Sequence, residues 1–135
     1  MVGKGIYYHC YVKIPVKCAV LVNGALWGLA HAPIIYYGTN YGINYWGAPY
    51  SGIVMFIIVA IVLGTWMSYI TLKTKNCLYA AIIHGASDIV GEFGTWISLA
   101  TVSSLLGPTP PGIIGLSGLL VGAVILFQKM PDSNN

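Results

Sequence analysis

Four apolar stretches, about Cys18 to Tyr37, Gly52 to Leu72, Cys77 to about Leu106 and Gly112 to Phe127, occupy most of this chain. Each is near or above the roughly 20 residues that carry a helix across hydrocarbon, the last being the shortest. With 57% hydrophobic and 7% charged residues, there is too little polar side chain to cover a soluble core, and the chain belongs in a bilayer. Backbone in lipid has to satisfy its own hydrogen bonds, and no stretch alternates as barrel strands do. The expected fold class is therefore all-α: a polytopic membrane helical bundle of about four transmembrane helices.

The lysines orient that bundle. Lys4, Lys13 and Lys17 lie at or before the start of the first span, Lys73 and Lys75 between the second and third, and Lys129 after the fourth. The opposite connections, Gly38 to Ser51 and Gly107 to Pro111, carry no charge. The positive-inside rule puts both termini and the Lys73 loop in the cytoplasm, and the expected location is integral to a prokaryotic cell membrane. Dispersed lysines without arginine form no basic patch, so no nucleic-acid partner is expected; the first partner is the lipid bilayer.

Aromatic residues fit this layout. Tyr36, Tyr37, Tyr41, Tyr45, Trp46 and Tyr50 gather at the outer connection as an interfacial belt, and Tyr7, Tyr8 and Tyr11 mark the inner edge. Residues 1–17 read as an interfacial leader, with Pro15 defining the way into the first span, and 129–135 as a polar tail. A cleaved signal peptide would account for the lysine-bearing start and Ala30-His31-Ala32, but the leader is long and apolar character resumes at Ile34 and Ile35. Cys10, Cys18 and Cys77 lack any C-x-x-C spacing and read as reduced, structural thiols. Gly24-x-x-x-Gly28 and Gly118-x-x-x-Gly122 would let helices approach closely, first of all within the chain. Gly91 and Gly94 suggest a kink or break of the long third stretch near Glu92.

Against this background His31, His84 and Asp88 are expensive residues. Ionisable side chains inside spans mark functional sites by default. His84 and Asp88 are four apart and share a helical face, with Glu92 one turn further, so Asp88 can orient His84 and fix its tautomer. His31 joins them if the first and third spans pack together, although counting from the span ends leaves the histidines offset in depth by roughly 9 Å. The alternative is structural: a hydrogen-bonded His84/Asp88 pair holding the bundle, and a His31 imidazole bonded to a backbone carbonyl. A divalent metal such as zinc on His31 and His84, with Asp88 as third ligand and water as fourth, is chemically open, but there is no close histidine pair of the H-E-x-x-H kind. Glu92, flanked by glycines, reads as a polar residue at a helix break rather than as a base.

From about Ala19 to Phe127 the chain resembles the CAAX-protease and bacteriocin-processing family of intramembrane endopeptidases, also called the Abi or self-immunity family. The resemblance rests on Trp27-x-x-x-His31 and His84-x-x-x-Asp88 in that order. Around them stand Leu26-Trp27-Gly28-Leu29-Ala30-His31-Ala32-Pro33, then Asn40-Tyr41-Gly42 with Gly47-Ala48-Pro49, and Leu72-Lys73-Thr74-Lys75 leading through Ala80-Ala81 to His84. It implies catalytic roles for His31, His84 and Asp88, which bind or polarise the scissile carbonyl, and a peptide or protein substrate at the membrane. In the family an E-E-x-x-x-R motif supplies the water-activating glutamate. Here there is no arginine and no paired glutamate. The motif would lie roughly thirty residues before the first histidine, at or just before Met1, so 18–128 is expected to be a partial CAAX-protease-like intramembrane domain, truncated at its N-terminus.

Two functions of different class follow. One is an endopeptidase of CAAX-type, leader-processing or self-immunity kind, impaired by loss of the glutamate motif. The other is a non-enzymatic immunity, binding or scaffold protein that holds a peptide or a membrane-protein partner in the same cavity. A proton or ion conductor using the histidines and Asp88 carries little weight beside them.

Overall fold

The computed structural model describes residues 14–97 and 112–131. Most of the leader, the connection Gly107 to Pro111 and residues 132–135 of the tail therefore lie outside the described residues. Pro15 opens the first helix, α1 (Val16–Ala30), and its carbonyl accepts the Ala19 N–H at 3.0 Å. A proline has no N–H to leave unsatisfied at that position. The helix stops at His31 and a short α2 (Ala32–Tyr36) follows. One continuous span from Cys18 to Tyr37 was the expectation, and Pro33 is the reason for the break. It cannot donate to the Leu29 carbonyl, and its ring crowds that turn. The chain tightens there instead, and the His31 N–H reaches the Gly28 carbonyl at 3.1 Å.

A folded connection leads to α3 (Tyr50–Thr74). Gly38, Asn40, Gly42 and Gly47 take positive φ in it, and it closes on its own aromatic residues. Tyr41 is 3% exposed and packs 5.8 Å from Tyr45, whose hydroxyl donates to the Pro49 carbonyl at 3.0 Å. Burial, and secondarily the neighbouring Tyr45 phenol, hold the Tyr41 phenol well above its ordinary value. The expected aromatic belt is thus divided. Tyr36, Tyr37, Trp46 and Tyr50 face outward, while Tyr41 and Tyr45 form the inside of the connection.

At the far end of α3, Lys75 adopts a left-handed conformation and its N–H closes on the Thr71 carbonyl at 2.8 Å. The Asn76 side chain then accepts the Leu78 N–H at 2.9 Å and starts α4 (Leu78–Ile97), so three residues turn the chain round. The helix continues unbroken past Glu92, where a break was expected, and the Glu92 side chain lies outside the described residues. α5 (Ile113–Gln128) begins at Gly112, whose carbonyl accepts the Leu116 N–H at 2.9 Å.

Among the described residues there are five helices and no strand. α3 is the centre, in contact with all four others and most extensively with α1. Glycines make that main seam. A Cβ on Gly24 would lie 2.7 Å from the Ile61 Cα, and one on Gly28 would lie 2.5 Å from the Ile57 Cα. No side chain larger than hydrogen fits while the backbones stay this close. The second glycine pair behaves differently. Gly122 seats the Trp66 indole, whose Nε1–H donates to the Leu119 carbonyl at 3.0 Å, whereas Gly118 faces open space.

The core runs along α3 through Met55, Phe56, Val59 and Val62, and takes in Ile35, Tyr41, Leu116 and Ala123. The outer faces remain apolar: Val22 and Leu26 on α1, Val54 and Ile58 on α3, Ile82 and Ile89 on α4, Val121 and Val124 on α5 are exposed. Apolar surface repeated on every long helix is what lipid, rather than water, would cover. Among the described residues α3 alone is long and apolar enough to cross a membrane by length and composition.

Candidate functional site

The break after α1 creates the first half of the site. Because Pro33 diverts the His31 N–H to Gly28, the Trp27 carbonyl would be left without its helical partner. The His31 side chain takes that place, with Nδ1 2.9 Å from the Trp27 oxygen. A carbonyl only accepts, so the neutral His31 ring carries its proton on Nδ1 and leaves Nε2 available. Phe56 of α3 packs against the other side of this imidazole, 4.7 Å between ring centroids and tilted by 31°. The i, i+4 spacing of Trp27 and His31 has a mechanical meaning: one residue satisfies the other.

α4 supplies the second half. His84 Nε2 lies 3.3 Å from an Asp88 carboxylate oxygen, one turn on. With a carboxylate on Nε2 the proton sits there, and Nδ1 is the remaining nitrogen. The Ser87 hydroxyl donates to the His84 carbonyl at 2.7 Å.

Trp27 joins the two halves. Its indole lies 5.2 Å from the His84 ring and is tilted by 31° to it, and 6.1 Å from the His31 ring in an edge contact. The Trp27 indole thus touches both imidazoles, one on its own helix and one on α4. A half-open cavity of about 610 Å³ lies against all three, bordered by Phe56, Val59, Ala60 and Leu63 of α3, by Thr39 and Asn40 of the connection, and by Ser87, Asp88 and Gly91 of α4.

His31, His84 and Asp88 thus line a single cavity, although the first and third spans are not packed along their length and meet through the Trp27 and His84 rings. Asp88 is the most open of them, its side chain 66% exposed against 45% for His84. Each imidazole keeps one nitrogen beyond its positioning contact. Protonated, that nitrogen donates to a carbonyl oxygen; neutral, it accepts a proton from water.

Residues that the sequence did not single out complete the walls. Phe56 is one apolar residue in an apolar run and carries no signal there, but Ser87, three after His84, could have been found from the same helical face. The metal reading finds no donor set. No three side chains of His, Cys, Asp or Glu come together to hold an ion among the described residues, so no step is routed through a metal. Cys18 and Cys77 are free thiols, and Cys10 lies outside the described residues.

No curated protein and no solved structure matches the chain. A family model does match: that of the Rce1-like type II CAAX prenyl endopeptidases, integral membrane proteins acting on membrane-associated peptide substrates, covers residues 4–90, from the leader to just beyond the His84/Asp88 pair, and the chain belongs to that family.

Proposed function

We propose that this chain binds a peptide or protein substrate of the membrane in the cavity between α1, α3 and α4, where His31 and His84 polarise the scissile carbonyl. The observation that carries this reading is the placement of two imidazoles from different helices on one cavity through Trp27. Both rings are positioned through one nitrogen and free at the other, which is the arrangement expected of preorganised donors to an oxyanion. Trp27 holds the histidines at a fixed spacing, and Asp88 orients His84.

Hydrolysis by these 135 residues alone is slow in this proposal, because they hold no paired glutamate to activate water. Loss of a general base costs about 10²–10⁴-fold in rate. The bundle crosses the membrane about four times, with the lysine-bearing end in the cytoplasm of a prokaryotic cell.

The test is cleavage and binding of a prenylated peptide and of a leader peptide by the purified chain. Measurable binding, slow cleavage, and loss of both in His31→Ala and His84→Ala are the expected results. Rapid cleavage that disappears in His31→Ala would show that the glutamate motif is dispensable. Binding untouched by either substitution would favour the second reading, a non-enzymatic immunity or scaffold protein using the same cavity.

A further inference from the structure

A second cavity, about 560 Å³, lies at the opposite end of the α1/α3 seam. Its size is within the roughly 300–1,000 Å³ of small-ligand sites. Val16, Ala19 and Val20 of α1, Met67 and Leu72 of α3 and Ala80 at the start of α4 give it an apolar wall. Asn23, Ser68 and Thr71 add hydrogen-bonding groups. None of these residues belongs to the histidine cavity, and this end of the bundle is the one that carries the lysines.

We propose that this groove seats an acyl chain of an anionic phospholipid, with the lipid phosphate held by Lys73 and Lys75. Charge selects the occupant. Gly64, Ser68 and Thr71 run down one stripe of α3, and Lys73 and Lys75 follow Thr71 and Leu72 of the groove in the chain, both exposed at this end of the helix. Lys73 is exposed beside Leu72, its ammonium 5.9 Å from the Tyr69 ring, where an interfacial anion can reach it. Asp88, the one acidic residue whose side chain is described, lines the other cavity. Juxtamembrane lysines favour anionic lipid by about 1 kcal/mol each, roughly 5-fold in affinity. A zwitterionic lipid has the same chains without the net charge, so selectivity has to come from the lysines.

The proposal rests on the membrane reading given above, and the experiment separates the two. The full chain, extracted from membranes into detergent, is offered equal amounts of palmitoyl-oleoyl phosphatidylglycerol and phosphatidylcholine, and bound lipid is counted by native mass spectrometry. Phosphatidylglycerol should be retained preferentially. Lys73→Gln and Lys75→Gln should each reduce the preference roughly 5-fold, and Ala80→Phe, which fills the rim, should reduce binding of both lipids. Equal retention of the two lipids, or a preference unchanged in the lysine variants, would overturn the site. Release of the chain from membranes by alkaline carbonate would instead overturn the membrane reading.

Discussion

In the proposed function Asp88 acts through His84, whose Nε2 lies 3.3 Å from its carboxylate. Only an acceptor is needed there, so an amide oxygen can do the same work. Asp88→Asn is expected to keep peptide binding within about 3-fold of the native chain, while Asp88→Leu should lose about 10-fold, the value of one hydrogen bond of about 1–1.5 kcal/mol. Fluorescence titration with the peptide substrate measures both, and the nitrogen chemical shifts of His84 report whether the ring has lost its tautomer. An equal loss in the two variants would mean that charge, and not orientation, is what Asp88 contributes. The pair itself was legible in the sequence, because four residues make one helical turn. Phe56 was not, since a residue that cushions an imidazole looks like any other member of an apolar helix.

The seam between α1 and α3 is set by what is missing from Gly24 and Gly28. Gly28→Leu would drive a side chain into the Ile57 backbone, and overpacking of this kind costs about 1–3 kcal/mol. The midpoint of unfolding in mixed detergent micelles should fall accordingly. Gly118→Leu, at a glycine that faces open space, should leave the midpoint unchanged. The two G-x-x-x-G motifs look alike as text, yet one is a backbone contact and the other is divided between an indole and open space. Spacing shows which residues share a face; it does not show what that face meets. The break at His31 was missed for a related reason. Pro33 was visible, but its effect falls on the Leu29 carbonyl four residues earlier and, through the tightened turn at His31, on the Trp27 carbonyl that the His31 ring takes up.

Helix content, order and approximate extent followed from hydropathy alone, because each apolar stretch had to become a helix or leave its backbone unsatisfied. Arrangement did not follow, since lysines label the ends of spans but say nothing of which spans touch. The proposed topology can be checked through Cys77, beside the Lys73 loop, and through a cysteine placed in the uncharged connection. A membrane-impermeant thiol reagent should label Asn44→Cys in intact cells and reach Cys77 only after permeabilisation; the reverse pattern would invert the molecule.

The position of α3 has a consequence for how such a site is reached. Among the described elements α4 packs on α3 and has only slight contact elsewhere, and on the α1 side it is met by the Trp27 and His84 rings. It therefore hangs on the central helix like a door leaf, while α1 is locked to the frame by its glycines. If the proposed substrate arrives through lipid, the opening that disturbs least packing among the described elements runs between α1 and α4. Passing there means parting one pair of rings, so admitting the substrate and reassembling the two halves of the site would be a single movement.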